Sequence, residues 1–260
     1  MSALDQYPIF LENLKRKFDV DLFGYKRPQM ERRINSLMRT LQIEDYDHLL
    51  KTMAEDQAIF NRFLNHLTIN VSEFFRNPSQ WDVLKNKILP LLLENTRDLK
   101  IWSAGCSTGE EPYTLAMILR EHFPLGRHTI LATDFDKKVL AKASEGIYSP
   151  KKISGIPDNY RNKYLENLNG SFKMKKSLKD LIKFKEHNLL TSPFEKNFDL
   201  ILCRNVVIYF TEETKDILYR KFYQSLKNQG VLFTGSTEQI IQAKDIGFNS
   251  IAIFFYQKQL

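Results

Sequence analysis

From Leu99 onward the chain alternates short apolar runs with helix-length segments, and that alternation constrains its fold more than any other feature. The runs "LKIWSA", "HTILATD", "LIKFKEHNL", "FDLILCRN", "GVLFTGS" and "IAIFFYQK" are rich in β-branched, leucine and aromatic residues. Most are separated by segments such as "EPYTLAMILREHF" and "TEETKDILYRKFYQSL". Parallel strands need a crossover, usually a helix, to join them. The alternation therefore predicts an α/β fold, a largely parallel sheet with helices on both faces. In the second helical segment Thr211 suits the N-cap, Glu212 and Glu213 follow it, and Gly230 stands beyond the end. The closing runs have no full helix between them, which predicts an antiparallel edge.

Residues 1–70 lack this alternation and hold one glycine, Gly24. In "PQMERRINSLMRTLQ" the apolar Met30, Ile34, Leu37, Met38 and Leu41 share one helical face. Pro28 suits a first turn, where its missing N–H costs nothing. Arg32, Ser36 and Arg39 point the opposite way, giving the helix a basic outer stripe beside Asn35. The chain divides into an all-α N-terminal domain (1–75), a linker helix (76–98) and an α/β domain (99–260) with a small insert at about 150–185. Within that insert "NYRNKYLENL" reads as a short helix. "SFKMKKSL" and "LIKFKEH" alternate apolar residues with lysines, which predicts a β-hairpin turning near Leu178–Asp180 with one lysine-rich face.

Of the 260 residues 43% are hydrophobic and 27% charged, ordinary globular values. No apolar run approaches the roughly 18 residues of a membrane span, and "MSALDQYPIFLENLKRKF" reaches charge too early for a secretory signal. Two cysteines about a hundred residues apart support neither a disulfide framework nor a four-ligand zinc site. A cytoplasmic protein without membrane insertion is expected. The net charge of +7 is concentrated in two blocks. Residues 15–39 carry eight Lys/Arg against three Asp/Glu, and residues 137–185 carry thirteen against four. Such blocks are either solvated faces or surfaces for an acidic partner.

The loop "WSAGCSTGEEPYT" follows the first run of the α/β domain. Gly105 and Gly109 permit a tight turn and close backbone approach between strand and helix. A dinucleotide loop reads G-x-G-x-x-G, and a P-loop ends in G-K-[ST]. This loop reads G-C-S-T-G-E-E: it offers no lysine to a phosphate and sets two carboxylates where a pyrophosphate would approach. A cationic ligand suits it better. Asp134, ending "ILATD", is placed to bind ribose hydroxyls, and Asn188 in "EHNLL" to read an adenine edge. A nucleoside with a cationic amino-acid tail answers all three signals, and S-adenosylmethionine is such a molecule.

The ordered set "NVSEFFR", "WSAGCSTGEEPYT", "ATDFD", "HNLL" and "CRNVVIYF" resembles the CheR-type chemoreceptor glutamate O-methyltransferases over nearly the whole chain. The resemblance implies a Rossmann-like methyltransferase domain, S-adenosylmethionine as donor with S-adenosylhomocysteine as product, no metal, and receptor glutamates as acceptors. Carried over by position, it implies that Asn70, Ser72 and Arg76 close over the donor, Ser72 standing where threonine is common. It places Gly105 and Glu111 at the donor's methionine end, Asp134 on the ribose and Asn188–Leu189 on the adenine. Asn205–Val206 line the site, and Arg76 and Tyr209 lie nearest the transferring methyl. Cys106 and Cys203 are expected to be packed small apolar residues.

The same resemblance implies that the N-terminal domain faces a receptor's helical bundle, with Arg32 and Arg39 along it. Some family members also dock a receptor-tethered pentapeptide on a glycine-containing loop of the insert. With a turn at Leu178–Asp180 and no glycine between Gly170 and Gly230, such a tether is not expected. The main rival is a nucleic-acid methyltransferase, which the pI near 9.2 suits. "RNVVIY" stands, however, where base-amino methyltransferases carry N/D-P-P-Y/F. A non-catalytic adaptor is the other rival, though nothing obvious is missing from the site. A monomer without nucleic-acid partners is expected.

Overall fold

A computed structural model describes residues 5–67, 72–94 and 96–259. They divide into two compact units, Met1–Ile69 with Tyr209–Asp216, and Asn70–Ile208 with Ile217–Leu260.

The first unit is helical, as its sequence requires. Helices α1 (Gln6–Phe18), α2 (Arg27–Leu41), α3 (Tyr46–Glu55) and α4 (Gln57–Leu67) follow in turn. Asp5 and Asp45 accept from Tyr7 N and His48 N and so satisfy first-turn donors of α1 and α3. On α2, Met30, Ile34, Leu37 and Met38 are buried in one core with Phe10, Leu14, Leu49 and Phe63. Arg32 and Arg39 are exposed, as the helical wheel requires. Arg33, between the two faces, donates to the His66 carbonyl at 2.9 Å through Nε. Tyr209 belongs to this unit, its carbonyl accepting from Lys26 N at 2.9 Å.

The second unit opens with α5 (Pro78–Val83), which widens over Leu84–Ile88 before α6 (Leu89–Leu93). The Leu89 N–H reaches back five residues to the Leu84 carbonyl. Pro90 explains the widening: it has no N–H, and its ring would strike the carbonyl four residues earlier in a regular helix. Strands β1 (Lys100–Ala104), β2 (Thr129–Asp134), β6 (Ile182–Glu186), β7 (Phe198–Cys203) and β8 (Leu226–Thr234) pair in parallel. Strands β9 (Phe248–Ala252) and β10 (Phe255–Lys258) complete a seven-stranded sheet ordered β6-β2-β1-β7-β8-β10-β9, in which β10 runs antiparallel to both neighbours. Its crossover helices are α7 (Glu110–His122), α8 (Lys137–Glu145) and α12 (Glu212–Ser225), with the short α13 (Ala243–Ile246) before β9. All six residues of β7 are buried, the mark of a strand covered on both faces. Leu200, Leu202, Ile101 and Ile130 share one core with Leu115, Ile118 and Leu119 of α7.

Two readings of the sequence need correction here. "IAIFFYQK" is not one strand: it turns at Ile253–Phe254, where Phe254 takes φ 69°, and supplies the end of β9 and the start of β10. The expected hairpin is also displaced. Strand β3 (Ile147–Tyr148) leads to α9 (Pro150–Ile153) and α10 (Asp158–Tyr164), and then β4 (Leu165–Leu168) turns into β5 (Ser171–Met174). These form a separate three-stranded sheet ordered β3-β5-β4. Its hairpin turns at Asn169–Gly170, both at positive φ, the conformation that an Asn-Gly pair favours between strands. Leu178 lies in a helical turn, α11 (Lys176–Lys179), and "LIKFKEH" departs to the edge of the main sheet. A glycine, Gly170, therefore stands at the insert's turn, where the expected turn at Leu178–Asp180 had none. Gly230 stands beyond the end of α12, as expected, and lies within β8.

Candidate active site

Strands β2 and β6 lie on one side of β1, while β7 and β8 lie on the other, so the strand order reverses between β1 and β7. Ligands of open α/β sheets bind beyond the carboxyl ends of the strands at such a point. Here those ends carry the loop Gly105–Gly109 and the segment Arg204–Val206.

Backbone strain gathers at this place. Gly105, Ser107 and Gly109 after β1, Asn205 after β7, and Phe75 and Asn77 flanking Arg76 all have positive φ. Residues held so cluster where the surroundings over-determine them, as at ligand sites. Gly105 also has no room for a side chain: a Cβ there would lie 2.5 Å from Val206 Cγ2. Gly105 N and Cys106 N both donate to the Thr133 carbonyl at 2.8 Å. The carboxylate of Asp134 accepts from Ser107 N at 2.9 Å and, through its other oxygen, from Asp136 N at 3.1 Å. It thereby ties the loops after β1 and β2 together, and each oxygen keeps a further lone pair for a hydroxyl. Burial pushes its carboxyl above the usual range, against the pull of those N–H groups.

The two glutamates of the loop part company. Glu110 is fully buried, accepting from Thr108 Oγ1 and, at 3.0 Å, from Lys152 Nζ. Lys152 donates also to the Ser72 carbonyl at 3.0 Å, so this lysine of α9 is committed to protein groups. Glu111 turns the other way: one oxygen accepts from Ser103 Oγ at 2.8 Å, the other lies 3.5 Å from Arg204 Nη1. Only one carboxylate therefore faces the site, where the sequence had placed two. Burial raises the Glu111 carboxyl, while the Arg204 charge and the Ser103 hydrogen bond hold it down.

Arg204 and Glu238 are the residues that sequence reasoning missed. The Arg204 side chain is 2% exposed, and its Nη2 donates to the Arg76 carbonyl at 2.9 Å and to Gln80 Oε1 at 2.8 Å. Its guanidinium carbon sits 4.6 Å from the Phe233 ring centre and 5.2 Å from that of Trp81. Trp81 Nε1 gives the Arg76 carbonyl a second donor at 3.0 Å. Glu238 accepts from Asn205 N and Gly235 N, each at 2.7 Å, and from Ile208 N at 3.3 Å. It thus fixes the segment that presses Val206 onto Gly105. A signal for Arg204 existed, a charged residue directly after the apolar "LILC". Glu238 sits in a polar loop, "GSTEQ", and left none.

Asn188 and Leu189 follow β6. Asn188 Oδ1 accepts from Leu190 N at 2.9 Å, a local turn that leaves the amide NH2 as the group a ligand would meet. Leu189 is buried. Asn70 lies outside the described residues. Tyr209, Arg32 and Arg39 belong to the other unit. Cys106 and Cys203 are buried free thiols whose ionisation burial opposes, so they pack as small apolar residues. Among the described residues no cluster of three or more His, Cys, Asp or Glu could hold a metal ion, and no helix is long and apolar enough to cross a membrane. The donor set fits S-adenosylmethionine: a carboxylate, Glu111, for an ammonium, an acid at the end of β2 for a ribose, and no lysine committed to a phosphate.

Comparison with known proteins bears on both units. The family model described as CheR methyltransferase, all-alpha domain, matches residues 5–68, and that described as CheR methyltransferase, SAM binding domain, matches residues 70–253. A chemotaxis protein methyltransferase of Listeria monocytogenes is 40% identical over 97% of each chain. One from Listeria innocua is 39% identical, again over 97% of each. That of Borreliella burgdorferi is 36% identical over 94% of this chain and 91% of its own. With both domains matched in order and identity sustained along nearly all its length, this chain belongs to the CheR methyltransferase family.

Proposed function

We propose that the protein transfers the methyl group of S-adenosylmethionine to glutamate side chains of methyl-accepting chemotaxis receptors in the cytoplasm, forming glutamate methyl esters and S-adenosylhomocysteine. The observation that carries the donor half is the Glu111 carboxylate, held by Ser103 at the carboxyl end of β1 where a phosphate-binding loop would offer cations. The acceptor half rests on the family and on the names of the relatives.

When bound, the donor supplies an electrophilic methyl group on a sulfonium, with a neutral thioether as leaving group. Glu111 would hold its ammonium, Asp134 the ribose hydroxyls, and Asn188 with Leu189 the adenine. Gly105, Asn205 and Val206 would shape the wall between them, with Asn70 and Ser72 on the closing segment. A glutamate acceptor is already ionised near pH 7, so the protein needs no strong general base. Its work is alignment of the acceptor oxygen and exclusion of water. Arg76 would hold the acceptor carboxylate, and Tyr209, four residues after Asn205 along the chain, would orient it. The N-terminal domain (1–75) would meet the receptor through Arg32 and Arg39.

The test is transfer of labelled methyl from S-adenosylmethionine to receptor cytoplasmic fragments, with tRNA and DNA as competing acceptors. Label on the receptor that mild base releases as methanol is expected. Base-stable label on nucleic acid would overturn the proposal and make the basic blocks a phosphate footprint.

A further inference from the structure

We infer that Arg204 is a positioning residue of the transfer, coupling the Glu111 carboxylate to the backbone that carries Arg76. The inference rests on the reading of Glu111 as the donor's ammonium partner. One planar group reaches both places: Nη1 faces Glu111 Oε2 at 3.5 Å, and Nη2 donates to the Arg76 carbonyl at 2.9 Å. Neither contact is a surface ion pair, since the Arg204 side chain is 2% exposed and that of Glu111 14%.

The surroundings fix the plane of this group. The rings of Phe233 and Trp81 lie within cation–π range of the guanidinium carbon, at 4.6 and 5.2 Å. Gln80 Oε1 accepts a further hydrogen bond from Nη2 at 2.8 Å, and Asn77 Oδ1 lies 3.5 Å from it. Nε is fully buried and has no hydrogen-bond partner among the described residues, and burying such a donor carries a desolvation cost. A stability role alone does not account for that, because apolar residues of similar volume often replace a buried ion pair without loss. What a guanidinium supplies and an apolar side chain does not is a rigid fork joining two loops.

The charge matters as well as the shape. Glu111 is raised by burial and by Glu238, and lowered by Arg204 and Ser103. Arg204 in turn feels Arg76 as a like charge and Glu111 and Glu238 as opposite ones. The thiols of Cys106 and Cys203 are kept protonated by burial and by neighbouring carboxylates, Glu111 among them in both cases. Ionised Glu111 is the form that holds an ammonium. Donor affinity therefore falls as pH drops through the Glu111 pKa, and removing the Arg204 charge moves that fall to higher pH.

Calorimetric binding of S-adenosylmethionine to the full chain tests this across a pH series, for wild type, Glu111→Gln, Arg204→Gln, Arg204→Lys and the double variant Glu111→Gln/Arg204→Gln. Without the Arg204 charge Glu111 is less readily ionised and loses its anchor, so Arg204→Gln should raise Kd about thirtyfold at neutral pH. Its pH midpoint should lie above that of wild type, and Arg204→Lys should recover the midpoint but only part of the affinity. In the Glu111→Gln background Arg204→Gln should add little. Fully additive effects with an unmoved midpoint would overturn the inference and leave Arg204 a folding residue. Should Arg204→Gln not fold, Arg204→Lys alone decides: unchanged affinity and kcat contradict the role. If Glu111→Gln itself leaves Kd unchanged, the reading of the donor site has failed, which is a separate result.

Discussion

At the scale of single residues the site is built from backbone conformations that few side chains tolerate and from charges placed where water cannot reach. Gly105 shows the first. Its φ of 82° and the 2.5 Å at which an added Cβ would meet Val206 Cγ2 are independent constraints. Gly105→Ala should therefore destabilise the fold by about 1–3 kcal/mol and weaken donor binding. Adding Val206→Ala relieves the contact but not the dihedral, so chemical denaturation should show part of the loss returning. Complete restoration would mean that the dihedral carries no strain. Glu238 shows the second. Glu238→Ala leaves three main-chain N–H groups without their carboxylate, at a cost of at least about 2 kcal/mol. Donor affinity should fall with it, because Asn205 and Val206 lose their anchor. Neither Glu238 nor Arg204 was singled out from sequence, since a buried charge is defined by partners distant in the chain. Asp134 and Gly105 stood out in the sequence because each lies at the end of an apolar run, where the structure places the carboxyl ends of β2 and β1.

At the scale of elements, legibility followed the periodicity. The parallel strands stand out as apolar runs because both faces are covered, and α2 because its stripe has a helical period. The insert was misread for a local reason. Two lysine-alternating runs suggested one hairpin, while the stronger turn signal, Asn169–Gly170, lay just before them. Its elements nonetheless reach the site through single contacts, of which Lys152 is the clearest. Lys152→Met would leave Glu110 buried with Thr108 as its remaining donor. A loss of about 2 kcal/mol is expected, less than for a fully buried pair because Lys152 is partly exposed. Thermal melts of Lys152→Met, Glu110→Gln and the double variant measure the coupling, and additive effects would deny it. On α2, Arg32→Glu with Arg39→Glu should raise the KM for receptor and leave the Kd for S-adenosylmethionine alone. An unchanged KM would return the stripe to an ordinary solvated face.

At the scale of the whole molecule, the proposed function would have its two substrates met by different physics. The donor site depends on buried groups that salt screens little, whereas the basic blocks on the surface act over roughly a Debye length of ~8–10 Å. Raising ionic strength should therefore raise the receptor KM while the donor Kd stays nearly constant, a separation that steady-state kinetics and calorimetry can show together. The net charge of +7 was legible from composition, but composition alone could not distinguish a receptor from a nucleic acid. The measurement that goes most directly to the central claim is mass spectrometry of receptor fragments after incubation with enzyme and S-adenosylmethionine. Peptides heavier by one methylene are expected, with the modification on glutamate side chains, reversed by mild base and lost with Arg76→Ala. Modification of lysine or arginine instead, or none on a receptor that the enzyme binds, would contradict that claim.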